Sequence, residues 1–273
     1  MIEELDRVNG APDGVSARGL AGSFGIELKG LDIARLREGD VEFIRAQLLE
    51  HYVVLLSGQD TSVGVIDAFT KAMGPSIEET VPIKLELGHP DYPAVMVLRN
   101  EGFAKQYTGR WHSESSGHPT PPSISFLAAG ILPPAGGDTL FANQHLAFAE
   151  LSPALQALLL PLRAEHGIAV AGKSTSSAIH PVVRTHPETG ERALYVDEMF
   201  TRCFEGMTEE ESRGLLDYLL AHATRAEFCY RHCWKPGDVL VWDNRSVQHR
   251  AIHDYGDAER VMYHVEIAQE KPV

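Results

Sequence analysis

From Ala94 to Ile267 the chain is cut into short apolar segments by turns rich in glycine and proline, and this rhythm limits the fold more than any other feature. Ala94–Leu98, Ser123–Ala128, Thr139–Ala142, Val182–Thr185, Ala193–Val196, Val239–Trp242 and Arg260–Ile267 have the length and side-chain content of strands. Pro133-Pro134, Gly136-Gly137-Asp138, His186-Pro187-Glu-Thr-Gly190 and Pro236-Gly237-Asp238 supply turns between them. Helical patterning is confined to a few flanking stretches. Asp40 is placed to cap a helix through about Glu50, with Val41, Ile44 and Leu48 on one face, before a buried strand at Tyr52–Leu56. Thr61 or Ser62 opens a second helix that Gly74-Pro75 stops. Ser152-Pro153 leads a helix into Leu160, and Thr208 with Glu211 forms a capping box ahead of Leu215, Leu216, Leu219 and Leu220. The expected fold is mainly β with peripheral helices around a double-stranded β-helix (jelly-roll) core. No linker divides the chain, so 1–273 is expected to form one domain.

Onto this frame fall the pieces of a metal site. His112 and Glu114 stand two apart in Thr108-Gly-Arg-Trp-His-Ser-Glu-Ser-Ser116, and His249 follows 135 residues after Glu114. In an extended segment, side chains two apart project to one face, so His112 and Glu114 can share an ion that His249 reaches from elsewhere. Three ligands on one face leave coordination positions open, as a redox iron needs and a closed structural zinc site does not. By itself His-x-Glu carries little weight in a chain with 13 histidines, and the competing reading is a set of hydrogen-bonded or surface imidazoles. Val247–Ala251, a turn at His253–Asp257 and the strand from Arg260 read as a hairpin. Period two then puts Arg260, Met262, His264 and Glu266 on one face, with Arg260 near His249. A guanidinium fork suits a carboxylate; its bland alternative is an ordinary strand ion pair.

A formal charge of −14, from 24 Lys+Arg against 38 Asp+Glu, argues against a nucleic-acid partner and favours a small-molecule substrate. The opening Met-Ile-Glu-Glu-Leu-Asp-Arg lacks the basic end and apolar core of a signal peptide. No apolar run approaches membrane-spanning length, so no membrane partner and a cytoplasmic location are expected, with self-association left open. Cys203, Cys229 and Cys233 are few and odd in number, which points to reduced thiols. Cys229 and Cys233 flank His232 without completing a four-ligand zinc set at finger or ribbon spacing.

The chain resembles the taurine dioxygenase and 2,4-dichlorophenoxyacetate dioxygenase family of iron(II)/2-oxoglutarate-dependent oxygenases, from about Leu28 to Ile267. The resemblance is carried by Trp111-His-Ser-Glu114, Leu132-Pro-Pro-Ala-Gly-Gly-Asp-Thr-Leu-Phe-Ala-Asn143, His180-Pro-Val-Val-Arg-Thr-His-Pro-Glu-Thr-Gly190, Ala193-Leu-Tyr-Val196 and Lys235-Pro-Gly-Asp-Val-Leu-Val-Trp-Asp-Asn-Arg245. It implies iron(II) as cofactor, with 2-oxoglutarate and O2 as cosubstrates. The metal ligands fall on His112, Glu114 and His249, and the cosubstrate carboxylate partners on Thr139 and Arg260. The implied reaction decarboxylates 2-oxoglutarate to succinate and CO2 while a small metabolite is hydroxylated or desaturated.

Two positions depart from the family pattern. Glu114 replaces the usual aspartate ligand, and His264 stands where taurine dioxygenases place a sulfonate-binding arginine. Thr108 occupies the family's polar substrate position four residues before the first ligand. Thr108 and His264 are therefore the expected substrate-side residues, with taurine disfavoured; the other reading of His264 is a structural imidazole bonded to a backbone carbonyl. Trp111 and Trp242 are read as core packing beside the ligands, Arg99, Arg110 and Arg245 as solvated or ion-paired, and His180, His186 and His253 as hydrogen-bonding residues of turns. Two other classes compete, a catalytically silent metal-binding β-barrel and a zinc hydrolase, but neither uses a clamp such as Thr139 with Arg260.

Overall fold

A computed structural model describes residues 10–77, 87–99, 108–170 and 173–273; the opening segment 1–7 read above lies outside them. Among the described residues the strands of the first half are β1 Ser16–Gly19, β2 Ile26–Lys29, β3 Val53–Leu56, β4 Gly88–His89, β5 Tyr92–Arg99, β6 Pro122–Ile131, β7 Thr139–Asn143 and β8 Arg163–Val170. Those of the second half are β9 Lys173–Pro181, β10 Val183–Thr185, β11 Arg192–Leu194, β12 Thr201–Phe204, β13 Cys229–His232, β14 Val239–Asp243, β15 Val247–Ala251 and β16 Val261–Gln269. A large sheet has the order β1-β2-β3-β14-β6-β16-β5-β4, and a smaller one the order β13-β7-β15. A third sheet, β12-β8-β9, and the hairpin β10-β11 complete the described strands.

The central strands are apolar on both faces because both are covered. Val54, Leu56, Phe126, Ala128, Val239, Val241, Val265 and Ile267 point to one side, where they pack with Ile44, Leu48, Ile66 and Phe69 of helices Asp40–His51 and Val63–Met73. Their alternates Val53, Leu55, Leu127, Ala129, Leu240, Trp242 and Met262 point to the other side and meet Phe141 and Val247 of the smaller sheet. The candidate site opens between these two sheets of a jelly-roll core. A separate cluster, including Leu159, Val183, Leu194, Phe204, Leu216 and Leu219, joins helices Pro153–Leu159 and Glu209–Ala223 to the β8–β12 region.

Ser152 caps its helix through Leu155 N–H, and the Thr208–Glu211 capping box forms as the sequence predicts. Asp40 does not cap. Gly39, at φ 85°, is the N-cap, and the Asp40 carboxylate instead accepts from the Arg37 backbone N–H and side-chain Nε. The expected terminal hairpin is also absent. β15 pairs with β7, whereas β16 inserts between β6 and β5, so residues 252–260 cross from one sheet to the other. Period two still places Met262, His264 and Glu266 on one face, but Arg260 lies just before the strand, next to a register shift between Val261 and Met262.

Candidate metal and cosubstrate site

His112 and His249 are joined through the main chain before their side chains meet. His112 N–H donates to the His249 carbonyl at 3.0 Å, and His249 N–H returns the bond at 2.9 Å. This isolated antiparallel pair extends the β13-β7-β15 sheet by one residue and brings the two imidazoles to 4.2 Å between ring centres. The chain then turns away. Ser115 has φ 49°, and Glu114 begins that turn rather than continuing a strand, so the same-face rule for extended residues is not what brings Glu114 in. Its Oε1 nevertheless lies 3.7 Å from His112 Nε2 and 3.2 Å from His249 Nε2.

His112 Nδ1 is 2.8 Å from the Arg110 carbonyl oxygen. A carbonyl only accepts, so Nδ1 carries the proton and Nε2 presents its lone pair to the site, the tautomer a metal ligand requires. Both histidines are buried and Glu114 is nearly so. Burial alone would raise the Glu114 carboxyl, but His264, His112 and His249 outweigh it and hold its pKa well below the usual carboxylate range. Burial likewise opposes charge on His112, yet the Glu114 carboxylate raises its pKa. His249 is pushed down to about 4 by burial and by His112. One anionic oxygen facing two imidazole nitrogens, all within 4.8 Å of one another, is a donor set of the right charge and size for a divalent cation.

Thr139 and Arg260 are both buried. The Trp234 indole N–H donates to Thr139 Oγ1 at 3.0 Å. Indole is a donor only, so the hydroxyl accepts there and keeps its own proton free to donate elsewhere. Arg260 Nε donates to the Gly137 carbonyl at 3.1 Å, while its Nη2 is buried with no hydrogen-bond partner among the described residues. A buried guanidinium N–H without an acceptor is costly, and a bound carboxylate is the ligand that would satisfy it. Gly137 makes the approach: it has φ 75°, and a Cβ there would stand 3.0 Å from Arg260 Nε.

On the opposite flank, His264 Nε2 lies 3.6 Å from Glu114 Oε1 and its ring stacks on Trp242 at 5.8 Å. Glu114, His264 and Glu266 form a second close group of donors, so Glu114 is shared by two clusters. Thr108 Oγ1 is 3.1 Å from His253 Nε2.

A family model described as "Taurine catabolism dioxygenase TauD, TfdA family" matches residues 16–265. The chain belongs to this family. It is 31% identical to an alpha-ketoglutarate-dependent sulfate ester dioxygenase of Pseudomonas putida, over 93% of this chain and 89% of that one. It is 32% identical to the alpha-ketoglutarate-dependent 2,4-dichlorophenoxyacetate dioxygenase of Cupriavidus pinatubonensis, over 81% and 87%. A taurine dioxygenase structure from Burkholderia xenovorans superposes with a TM-score of 0.84 at 36% identity, covering 95% of this chain and 92% of that one. As a TauD/TfdA member the chain is a non-heme iron(II)- and 2-oxoglutarate-dependent dioxygenase that uses O2. The silent-barrel and zinc-hydrolase readings gain no support.

Within this TauD/TfdA enzyme, Trp242 is both core and wall: it is buried, and its ring lies 4.7 Å from that of His249. Trp111 is buried beneath Arg250. Arg245 is ion-paired with Asp243, Glu188 and Glu270, Arg99 pairs with Glu259, and Arg110 is exposed. His180 and His186 bond to the His118 carbonyl and Asp243. Trp234 and the Gly137 carbonyl were not anticipated, because Trp234 lies in the irregular segment after β13 and Gly137 in the loop before β7, where no periodic signal marks a contact. It placed Glu266 on the His264 face without giving it a role.

Proposed function

We propose that His112, Glu114 and His249 hold the iron, that Thr139 and Arg260 bind the far carboxylate of 2-oxoglutarate, and that residues 1–273 act as one oxygenase domain on a small metabolite other than taurine. The observation that carries this reading is the pairing of a compact His–Glu–His donor set with a buried guanidinium whose Nη2 lacks an acceptor. Iron(II), when bound, would activate O2 as the oxidant, with 2-oxoglutarate giving up two electrons as it becomes succinate and CO2, so that a hydrogen atom can be removed from the substrate. The chain's own part is to orient and to exclude. The Arg110 carbonyl fixes the His112 tautomer, the reciprocal backbone pair fixes the spacing of the two imidazoles, and Trp242 walls the pocket with apolar surface.

Thr108 and His264 are the proposed substrate contacts. His264 brings an imidazole where a sulfonate would need a bidentate guanidinium, and Glu266 adds a carboxylate to the same face. Both features disfavour a small, strongly anionic group. The substrate is hydroxylated or desaturated, since both outcomes begin with the same hydrogen removal. Substrate-dependent succinate release should be compared across taurine, sulfate esters, aryloxy acids and modified amino acids. A non-taurine compound is expected to give the fastest turnover; taurine exceeding every other compound would overturn the substrate assignment and leave the metal site standing.

A further inference from the structure

Between the substrate-side turn and the cosubstrate arginine runs a continuous chain of contacts. Thr108 Oγ1 is 3.1 Å from His253 Nε2, and His253 Nδ1 is 3.3 Å from the Tyr255 hydroxyl. The Arg260 guanidinium carbon then lies over the Tyr255 ring, 5.8 Å from its centre. A neutral imidazole has one N–H and one lone pair, and a hydroxyl either donates or accepts, so both bonds are satisfied in either His253 tautomer. The crossover that carries these residues is clamped: Gly137 N–H donates to Asp254 Oδ1 at 2.8 Å, Ile252 N–H donates to the Asp138 carbonyl at 2.8 Å, and Ala251 N–H donates to the Thr108 carbonyl at 2.8 Å. A Cβ on Gly137 would touch both Arg260 Nε and the Tyr255 ring, so the three groups share one tight space.

We propose that Tyr255 is a positioning residue for Arg260 and that, through His253, it links the orientation of the cosubstrate arginine to the turn at Thr108. The inference rests on the reading of Arg260 as the 2-oxoglutarate carboxylate partner and adds to it a connection to the substrate side. Tyr255 acts in two ways. Its ring face attracts the guanidinium, which is buried and has only the Gly137 carbonyl as a hydrogen-bond acceptor among the described residues. Its hydroxyl anchors that ring to His253 and so to Thr108. A displacement of Thr108 by an occupant of the pocket is then felt at Arg260, and a cosubstrate seated on Arg260 stiffens the Thr108 turn in return.

The test is anoxic calorimetric titration of 2-oxoglutarate into manganese-loaded protein, which reads binding without turnover. Arg260→Ala should weaken binding more than tenfold, a loss expected of a charge-assisted bond. Tyr255→Leu, which removes the ring, should weaken it by about 2- to 30-fold, with manganese affinity changed by less than about twofold. Tyr255→Phe and Thr108→Val each cut one hydroxyl link and should cost about two- to tenfold, and the double variant should be no weaker than the weaker single. Thermal melts of each variant report folding, and if Tyr255→Leu fails to fold, the Tyr255→Phe/Thr108→Val cycle decides alone. Strict additivity in that cycle, or wild-type 2-oxoglutarate affinity in Tyr255→Leu beside a crippled Arg260→Ala, overturns the link and leaves the cosubstrate assignment intact. Unchanged binding in Arg260→Ala overturns both.

Discussion

His112 and His249 exchange both of their backbone hydrogen bonds, at 3.0 and 2.9 Å, so two candidate ligands 137 positions apart are set side by side by the main chain. The sheet itself therefore sets the spacing of their backbones. Glu114 completes the set from the turn that follows. Replacing Glu114 by aspartate, the family's usual ligand, shortens the reach by one methylene within a fixed frame. Glu114→Asp is expected to keep detectable iron binding with reduced affinity, whereas Glu114→Ala loses it; equilibrium dialysis of the metal checks the order.

Trp234 is expected to support cosubstrate binding without touching the metal. Its indole N–H fixes the Thr139 hydroxyl as an acceptor on one side, which leaves the hydroxyl proton to donate on the other. Trp234→Phe removes this bond, worth about 1 kcal/mol. The 2-oxoglutarate requirement should rise about fivefold with iron affinity unchanged, as read from succinate formation at graded cosubstrate and metal.

Gly137→Ala should be costly for a residue so small. The backbone there is left-handed, and the added methyl meets Arg260 Nε and the Tyr255 ring. A loss of roughly 1–3 kcal/mol in denaturant unfolding is expected, with an accompanying rise in the 2-oxoglutarate requirement. Gly190, also left-handed but with open space around it, is the control: Gly190→Ala should cost the strain alone and leave cosubstrate binding unchanged.

Acid should destabilise the fold through His166 and His180, which lie behind the site. Burial lowers His166 to about 3, with His180 adding to the effect, and burial lowers His180 to about 4. Unfolded, both titrate near the ordinary value of 6.5, so above that pH neither favours unfolding. As pH falls from about 6.5 toward about 4, the unfolded chain takes up protons that the folded chain refuses, and stability is lost at about 1.4 kcal/mol per unit for each group. His166→Gln should reduce that slope by about one proton, measured as unfolding free energy against pH. An unchanged slope would show that His166 takes up its proton in the folded state.

Much of this architecture was legible in the residues, and the errors have definable causes. Five strands of the large sheet (β3, β5, β6, β14 and β16), the Ser152 cap and the Thr208–Glu211 box follow from local patterning, whereas the short β1, β2 and β4 carry no such signal. The hairpin expected from Val247 to Ile267 failed because local pattern specifies a strand but not its neighbour: β15 finds β7, and β16 finds β5 and β6. Helix Gln144–Ala149, capped by Asn143, and the β8–β9 pair went unseen. The helix is short, and the pair is poor in β-branched residues, so neither carries a strong periodic signal. The structure brings His112, Glu114 and His249 within reach of one another, as residue type and spacing suggest, but through a single bridge and a turn in place of the extended geometry expected of His112 and Glu114. Trp234 meets Thr139 from just beyond the paired strand β13, and Tyr255 meets His253 and Arg260 within the irregular crossover 252–260, and neither position carries a periodic pattern to read.

On the substrate side, His264→Arg should improve binding of small sulfonates without restoring full catalysis, because a guanidinium supplies the missing bidentate donor while Glu266 remains on the same face. Sulfonate binding to manganese-loaded protein by calorimetry checks it. No gain in sulfonate affinity would remove His264 from the substrate wall.

The central claim is most directly tested by succinate release from 2-oxoglutarate, measured with and without added iron(II) and O2, in the unmodified protein and in His249→Ala. The account predicts iron- and O2-dependent succinate formation that falls by at least about a hundredfold in His249→Ala under subsaturating iron, because two remaining donors hold the ion too weakly. Full succinate formation in His249→Ala, at the same iron concentration, would contradict the assignment of His112, Glu114 and His249 as the metal site.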